Sequence, residues 1–318
     1  MQGAQPIQFM QPFDVVVIGA GVAGLCAGMH AARYGLTVAI VDGSGVGGQI
    51  STAEKIENFP GFPSGIPGHE LGPLLHEQAE AAGAEFILDT IERIVAIGDQ
   101  FHLQGGSESL QARCVIVAAG SKRRSLGIPG EREFLGKGVS HCASCDGPLF
   151  AGREVAVVGG GDSALDEALA LAGHASRVTI VHRGASLSAQ HVLAQRIAHD
   201  RNISIALNTV VEEILGDEAV TGARLRDRNT GALRVQPASG VFINVGLEPN
   251  TGFLNGIVAL DAGRHIETDI MMATSRPGIF AAGDIRSRSV ALLAAAVGDG
   301  ATAAISAFRY LTAPGRAG

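Results

Sequence analysis

A glycine-rich turn between two apolar runs is written twice in this chain, at Gly19 and at Gly159, 140 residues apart. The first copy reads Val15-Val-Val-Ile-Gly19-Ala-Gly21-Val-Ala-Gly24 and the second Val155-Ala-Val-Val-Gly159-Gly-Gly161-Asp-Ser-Ala164. The apolar run that follows repeats at the same offset, as Val38-Ala-Ile-Val-Asp42 and Val178-Thr-Ile-Val-His182. Each copy predicts strand, glycine turn, helix, strand. A single G-x-G-x-x-G is a weak signal and also fits an ordinary α/β turn. Two copies with matching second strands predict two dinucleotide-binding units.

The glycines have separate physical tasks. The first lets the chain turn tightly off the strand, the second lets a pyrophosphate approach the backbone, and the third lets the helix pack close to the sheet. The helix start then offers free N–H groups and partial positive charge to phosphate. In the first copy Asp42 ends the second strand, where a carboxylate can accept hydrogen bonds from ribose hydroxyls, so FAD or NAD is expected there.

At 318 residues the chain is long enough for two domains, each with its own core. Glycine, at 44 residues, is about double the usual ~7%, and the repeated turns account for much of that. A formal charge of −7 argues against a nucleic-acid partner. No basic leader precedes Asp14, and the uncharged stretch 15–32 holds four glycines and His30, so it fits strand–turn–helix better than a membrane span. With only four cysteines a secreted disulfide scaffold is not expected, and a cytoplasmic location is.

Three further apolar runs read as closing strands: Cys114-Val-Ile-Val-Ala-Ala119-Gly120, Gly240-Val-Phe-Ile-Asn-Val-Gly246 and Gly278-Ile-Phe-Ala-Ala-Gly283-Asp284. The last lies beyond the second unit and is expected to return to the first. The predicted fold class is α/β, with two Rossmann-like three-layer domains, the second inserted in the first. The outer domain is expected at 1–120 and 247–318 and the inner at 121–246, with hinges near Gly120-Ser-Lys122 and Gly246-Leu-Glu-Pro249. Val290 to Leu311 reads as a closing helix, and Met1–Met10 and Ala313–Gly318 as frayed ends.

Cys142-Ala-Ser-Cys145-Asp146-Gly147 carries the reactive chemistry, because a C-x-x-C sets two sulfurs within disulfide reach. A structural zinc site usually needs four ligands, and only His141 lies close by, so no metal is expected. Cys26 and Cys114 read as inert core thiols. For Cys142 and Cys145, between two nucleotide units, redox exchange leads. Asp146 is placed to move a thiol proton, or alternatively to serve as a turn aspartate before Gly147-Pro148.

These segments together resemble the low-molecular-weight thioredoxin reductases. The match runs through the first fingerprint, Gly47-Gly-Gln49, Ile56-Glu-Asn58-Phe-Pro60-Gly61, Ala118-Ala-Gly120, the Cys142–Gly147 segment, Asp162-Ser-Ala164, Gly246-Leu-Glu-Pro249-Asn250-Thr251 and Thr274 to Asp284. The resemblance implies the inserted two-domain fold, a homodimer and tightly held FAD. It implies that Gly19, Gly21, Gly24 and Asp42 hold the ADP half of FAD, with Ala119, Gly120 and Gly283 in the same site. Gln49 and Asn58 would lie near the flavin ring, and Asp284 would bind the ribityl chain. Cys145 would be the flavin-proximal sulfur, Cys142 would attack the partner disulfide and Asp146 would be the acid/base. The implied partner is a thioredoxin-like protein or small disulfide, reached after a rotation of the inner domain.

Two segments depart from the pattern. Members that use NADPH carry His-Arg-Arg and a further Arg, where this chain reads His182-Arg183-Gly184-Ala-Ser-Leu-Ser188. At ~1.5–3 kcal/mol per charged hydrogen bond, two missing arginines weaken a 2′-phosphate contact roughly a hundredfold. His182 also replaces the acid an NADH site would want. The turn itself, with Gly159, Gly161, Ala164 and Arg183, still permits a weakly held nicotinamide nucleotide, but the sequence endorses neither NADPH nor NADH. The other departure is Ala291-Leu292, where the family often has Arg-Gln. The leading expectation is a thioredoxin-reductase-like flavoenzyme with an unusual donor, ferredoxin among the candidates. The alternatives are a flavin dithiol oxidase using oxygen and a non-enzymatic redox sensor.

Overall fold

The computed structural model describes residues 12–315. The expectation for Met1–Met10, and that for the last three of Ala313–Gly318, therefore lie outside the described residues. Over the described residues the chain forms two compact units, one of residues 12–122 and 248–315 and one of residues 123–247.

In the first unit the apolar runs fold as β1 (Phe13–Ile18), α1 (Val22–Arg33) and β2 (Val38–Val41). Then come α2 (Gly68–Ala81), β3 (Glu85–Ile87), β4 (Ile91–Ile97), β5 (Gln100–Gly105) and β6 (Ser109–Val117). The chain leaves along β7 (Ser121–Arg123). The inner unit holds β8 (Val139–Ser140), α3 (Ala143–Asp146), β9 (Glu154–Val158), α4 (Asp162–Ala172), β10 (Arg177–Val181), α5 (His191–His199) and β11 (Ile203–Ala206). A meander follows, β12 (Thr209–Gly216), β13 (Val220–Asp227) and β14 (Leu233–Pro237), and β15 (Gly240–Ile243) closes the unit. The chain returns along β16 (Leu247–Pro249), which pairs with β7, and ends in β17 (Ile279–Ala281) and α6 (Leu293–Thr312).

The outer sheet runs β3-β2-β1-β6-β5-β4. β1, β2 and β3 are parallel to one another, and β6 joins β1 in parallel. β17 also pairs in parallel with β6, Ile279 opposite Val115, so the late apolar run does return to this sheet. Val15, Val16 and Val17 are fully buried, because one face packs on α1 and α6 and the other on a second apolar layer that includes Leu103, Leu254 and Ile266. A strand covered on both faces needs an unbroken apolar run rather than an alternating one. α6 packs closely on α1: a Cβ at Gly300 would stand 2.2 Å from the Ala23 carbonyl oxygen.

The inner unit repeats the plan with five parallel strands, β11-β10-β9-β15-β8. One apolar layer involves α4 and α5, through Leu165, Leu171 and Ile197, and the other packs Val211, Ile214 and Leu225 of the meander. The closing helix starts three residues later than the sequence pattern predicts. Ala291 takes φ 50° and Leu292 is the extended N-cap, so Val290–Leu292 belong to the preceding loop. Among the described residues no helix is long and apolar enough to cross a membrane, and no His/Cys/Asp/Glu group could hold a metal.

Candidate active site

In the outer unit, β1 ends at Gly19, whose φ of 107° belongs to glycine. A Cβ there would stand 2.4 Å from the Ala118 carbonyl oxygen, and one at Gly24 only 1.8 Å from the Gly19 oxygen. These two glycines are therefore required by protein packing. Gly21 differs, since nothing lies within 4 Å of its Cβ position. It is also the N-cap of α1, with no side-chain cap and no acid in the first turn. The open helix start is thus free to receive an anion.

Asp42 braces this turn: Oδ2 accepts the Ala20 N–H at 2.8 Å and Oδ1 the Ser44 N–H at 2.7 Å. The Gly47 N–H donates to the Ala20 carbonyl at 2.9 Å and brings the short 3-10 helix Gly48–Thr52 alongside. Gln49 is exposed on that helix and donates to the Ser121 carbonyl at 3.2 Å, while Asn58 is exposed in a bend. Asn250 holds the end of the sheet, with Nδ2 donating to the Ala119 carbonyl and its N–H to the Gly120 carbonyl.

Gly283, at φ 77°, turns the chain after β17, and its N–H donates to Asp299. Burial pushes the neighbouring Asp284 carboxyl above the usual carboxylate range, with the Ser289 hydroxyl pulling down and Asp299 adding to the rise. Asp299, itself buried, pairs with Arg286. Asp284 is thus a half-buried acceptor. An open glycine helix start, a strand-end carboxylate and a half-buried acid fit the pyrophosphate and sugar hydroxyls of FAD.

In the inner unit Cys142 and Cys145 form a disulfide. Cys142 is the N-cap of α3, and its Sγ accepts the Cys145 N–H at 3.2 Å. Asp146 ends that helix, and its Oδ2 accepts a hydrogen bond of 2.6 Å from the Ser140 hydroxyl. The Cys142 N–H in turn donates to Ser140 Oγ at 3.1 Å, so one buried hydroxyl joins the acid to the first cysteine. The sequence reading missed Ser140 and the Glu167 carboxylate, which accepts the Ala143 N–H at 2.8 Å. The one signal for Ser140 was a serine two residues before the dithiol; Glu167 is one of three acids on α4, and nothing in the sequence singles it out.

The second glycine turn is also built. Gly159 has φ 151°, and its Cβ position lies 2.7 Å from the Ala164 methyl. The position of Asp42 is taken by His182, whose Nδ1 is 2.2 Å from where a Gly160 Cβ would be. Ser188 closes on the turn, its N–H donating to the Gly160 carbonyl at 2.8 Å. The Arg183 side chain is exposed, and its carbonyl accepts from Arg228 Nη1 at 2.7 Å. Gly161 remains open, with only Ser188 Oγ, at 3.8 Å, near its Cβ position.

Residues 13–300 match the family described as pyridine nucleotide-disulphide oxidoreductase. The chain belongs to this family. A thioredoxin reductase of Listeria monocytogenes is 43% identical over 302 residues, covering 94% of this chain and 94% of that protein. The solved Lactococcus lactis thioredoxin reductase is 37% identical with a TM-score of 0.92, covering 94% of this chain and 99% of that one. A ferredoxin-flavin thioredoxin reductase from Clostridium acetobutylicum is 31% identical with a TM-score of 0.52, covering 94% of this chain and 98% of that one. Both nucleotide folds are of the Rossmann type, and the protein is a FAD-dependent thiol-disulfide oxidoreductase.

Proposed function

We propose that this chain reduces the disulfide of a thioredoxin-like protein, through the Cys142/Cys145 dithiol, using a donor other than tightly bound NADPH. The observation that carries the reading is the sulfur geometry: Cys142 Sγ receives a directed N–H, which stabilises a thiolate, and the Asp146 carboxylate is joined through the Ser140 hydroxyl to the Cys142 N–H. Thioredoxin as the partner is supported by the relatives' names. The outer unit, 1–120 with 247–318, is read as the FAD domain, and 121–246 as the inserted nucleotide-binding-like domain. A homodimer in the cytoplasm completes the proposal.

Gly19, Gly21, Gly24 and Asp42 would hold the ADP half of FAD. Ala119, Gly120, Gln49, Asn58, Gly283 and Asp284 would line the remainder. When bound, FAD supplies two-electron chemistry to the disulfide. Reduction of the Cys142–Cys145 bond leaves one sulfur as thiolate and one as thiol. The Cys142 thiolate attacks the partner disulfide and forms a mixed disulfide as one partner sulfur leaves. Cys145 then loses its proton to Asp146 and attacks Cys142 Sγ, which expels the second partner thiolate and re-forms the ring. Asp146 passes the proton on, so each cycle delivers two electrons and two protons to the partner, the other proton coming from solvent.

The donor is set by the second turn. Of the positions where the family carries its arginines only Arg183 keeps one, and His182 and Ser188 occupy the turn's flank. Anaerobic titration of the oxidised holoenzyme separates the readings. Reduced ferredoxin is expected to bleach the flavin absorbance where micromolar NADPH and NADH do not. Rapid bleaching by micromolar NADPH would overturn the donor assignment. Oxygen uptake driven by a small dithiol alone would favour the oxidase.

A further inference from the structure

Glu167 stands on α4, and its side chain is 13% exposed. Its Oε2 accepts the Ala143 N–H at 2.8 Å, and its Oε1 is 3.2 Å from Nη1 of Arg123. The same Nη1 donates to Asn244 Oδ1 at 2.5 Å, just past the end of β15. The start of α3 is thus tied to α4, to the entry strand β7 and to the end of β15.

Such a tie has work to do. α3 has four residues, about one turn, and a helix that short does not hold itself together in water. Its early N–H groups have no partners within the helix. The Cys145 N–H goes to Cys142 Sγ, and Glu167 takes the Ala143 N–H. With the latter occupied, the Cys145 N–H is the backbone donor on the Cys142 sulfur, which Ser144 Oγ also approaches at 3.8 Å. Burial pushes the Glu167 carboxyl up, against the pull of Arg123 and of the Ala143 N–H, so an acid is kept there at a cost. A neutral core needs no such group.

We infer that Glu167 is a positioning residue for the dithiol: through the Ala143 N–H it fixes the turn that presents Cys142, and Arg123 holds it in place. This rests on the reading that Cys142 and Cys145 carry the electrons. The other titratable groups at this turn are Asp146 within α3, His141, whose Nδ1 lies 3.0 Å from the Ile243 carbonyl oxygen, and His174, beside Gly147. None of them reaches the Ala143 N–H among the described contacts.

Two variants separate placement from charge. Glu167→Asp keeps the charge and withdraws the oxygen by one methylene; Glu167→Gln keeps an oxygen at the same reach and removes the charge. Holoenzyme is reduced with dithionite and mixed with rising 5,5′-dithiobis(2-nitrobenzoate), and the limiting rate of nitrothiobenzoate release is read. Glu167→Asp is expected to be about tenfold slower, with unchanged half-saturation and flavin content, and Glu167→Gln to stay within threefold of the parent. A Glu167→Asp rate within twofold of the parent overturns the inference. So does a loss in Glu167→Gln as large as in Glu167→Asp, since charge rather than placement would then govern. The Cys142→Ser/Cys145→Ser double variant reports on the premise: release above background there removes the dithiol reading itself, whereas silence there with parental Glu167→Asp removes only this inference.

Discussion

Cys26 and Cys114 differ from the dithiol in what surrounds the sulfur. Cys26 lies on α1 with its thiol donating to the Val297 carbonyl at 3.2 Å, and burial pushes its pKa up to about 11. Cys114 is fully buried on β6. Thiol reactivity needs thiolate and access; burial denies access to both sulfurs, and the raised pKa keeps Cys26 a thiol. After reduction and removal of reductant, native protein should release nitrothiobenzoate equivalent to the Cys142/Cys145 pair alone, and guanidinium should expose the remaining two. Asp14 illustrates the opposite shift. Burial works to raise its carboxyl, yet the Thr37 N–H and hydroxyl and the Arg113 guanidinium together hold it below the ordinary value of 3.8. A depressed folded-state carboxylate stabilises above the unfolded pKa and stops doing so as pH falls through the folded one. Asp14→Asn should therefore cost roughly 1.5 kcal/mol at pH 7. That gap should close in urea titrations run well below pH 3.8.

At the scale of elements, the two glycine turns look alike in sequence but their members do different jobs. Gly24 is required by the fold, because any Cβ strikes the Gly19 carbonyl. Gly21 has open space and an ordinary φ of −73°, so only a ligand needs it bare. Gly21→Ala should fold with parental thermal stability and lose at least tenfold in FAD affinity. Gly24→Ala should lose several kcal/mol of stability as well, in line with overpacked cores. Equal stability loss in both, read by calorimetry of the flavin-free protein, would refute the distinction. These turns were legible because a two-faced parallel strand is written as a continuous apolar run and its exit as glycine. The β12–β14 meander was not, since its exposed edge strand, Leu233-Arg-Val-Gln-Pro237, alternates instead of running apolar. In the site, Cys142, Cys145 and Asp146 were legible from adjacency. Ser140 acts through two local hydrogen bonds and Glu167 through two set by tertiary packing, and no spacing announces those. The late start of α6 has the same character: Ala291 sits at positive φ, with its N–H donating to Ser289 Oγ, a local bond that a helical composition conceals.

At the scale of the molecule, the proposed function places FAD in one unit and the dithiol in the other, and on that reading turnover depends on the two chain crossings. β7 and β16 pair there, and each is preceded by a glycine at positive φ, Gly120 at 58° and Gly246 at 108°. The two angles are not equivalent. A φ near 58° is the left-handed helical region that Asn208 and Asn255 also occupy in this chain, whereas 108° is glycine territory. Neither Cβ position meets an atom within 4 Å, so substitution strains the backbone without a clash. Hinge positions are those that absorb backbone rotation. Gly246→Ala should therefore slow steady-state disulfide reduction about tenfold, since strain of ~1–2 kcal/mol weighs on whichever state keeps the positive φ. Gly120→Ala should slow it no more than threefold. In both, the flavin content and the single-turnover reaction of the reduced dithiol should match the parent, because neither unit's interior is touched. A Gly246→Ala enzyme that turns over at the parental rate would mean that this crossing keeps one conformation throughout the cycle, and the hinge would have to be sought elsewhere.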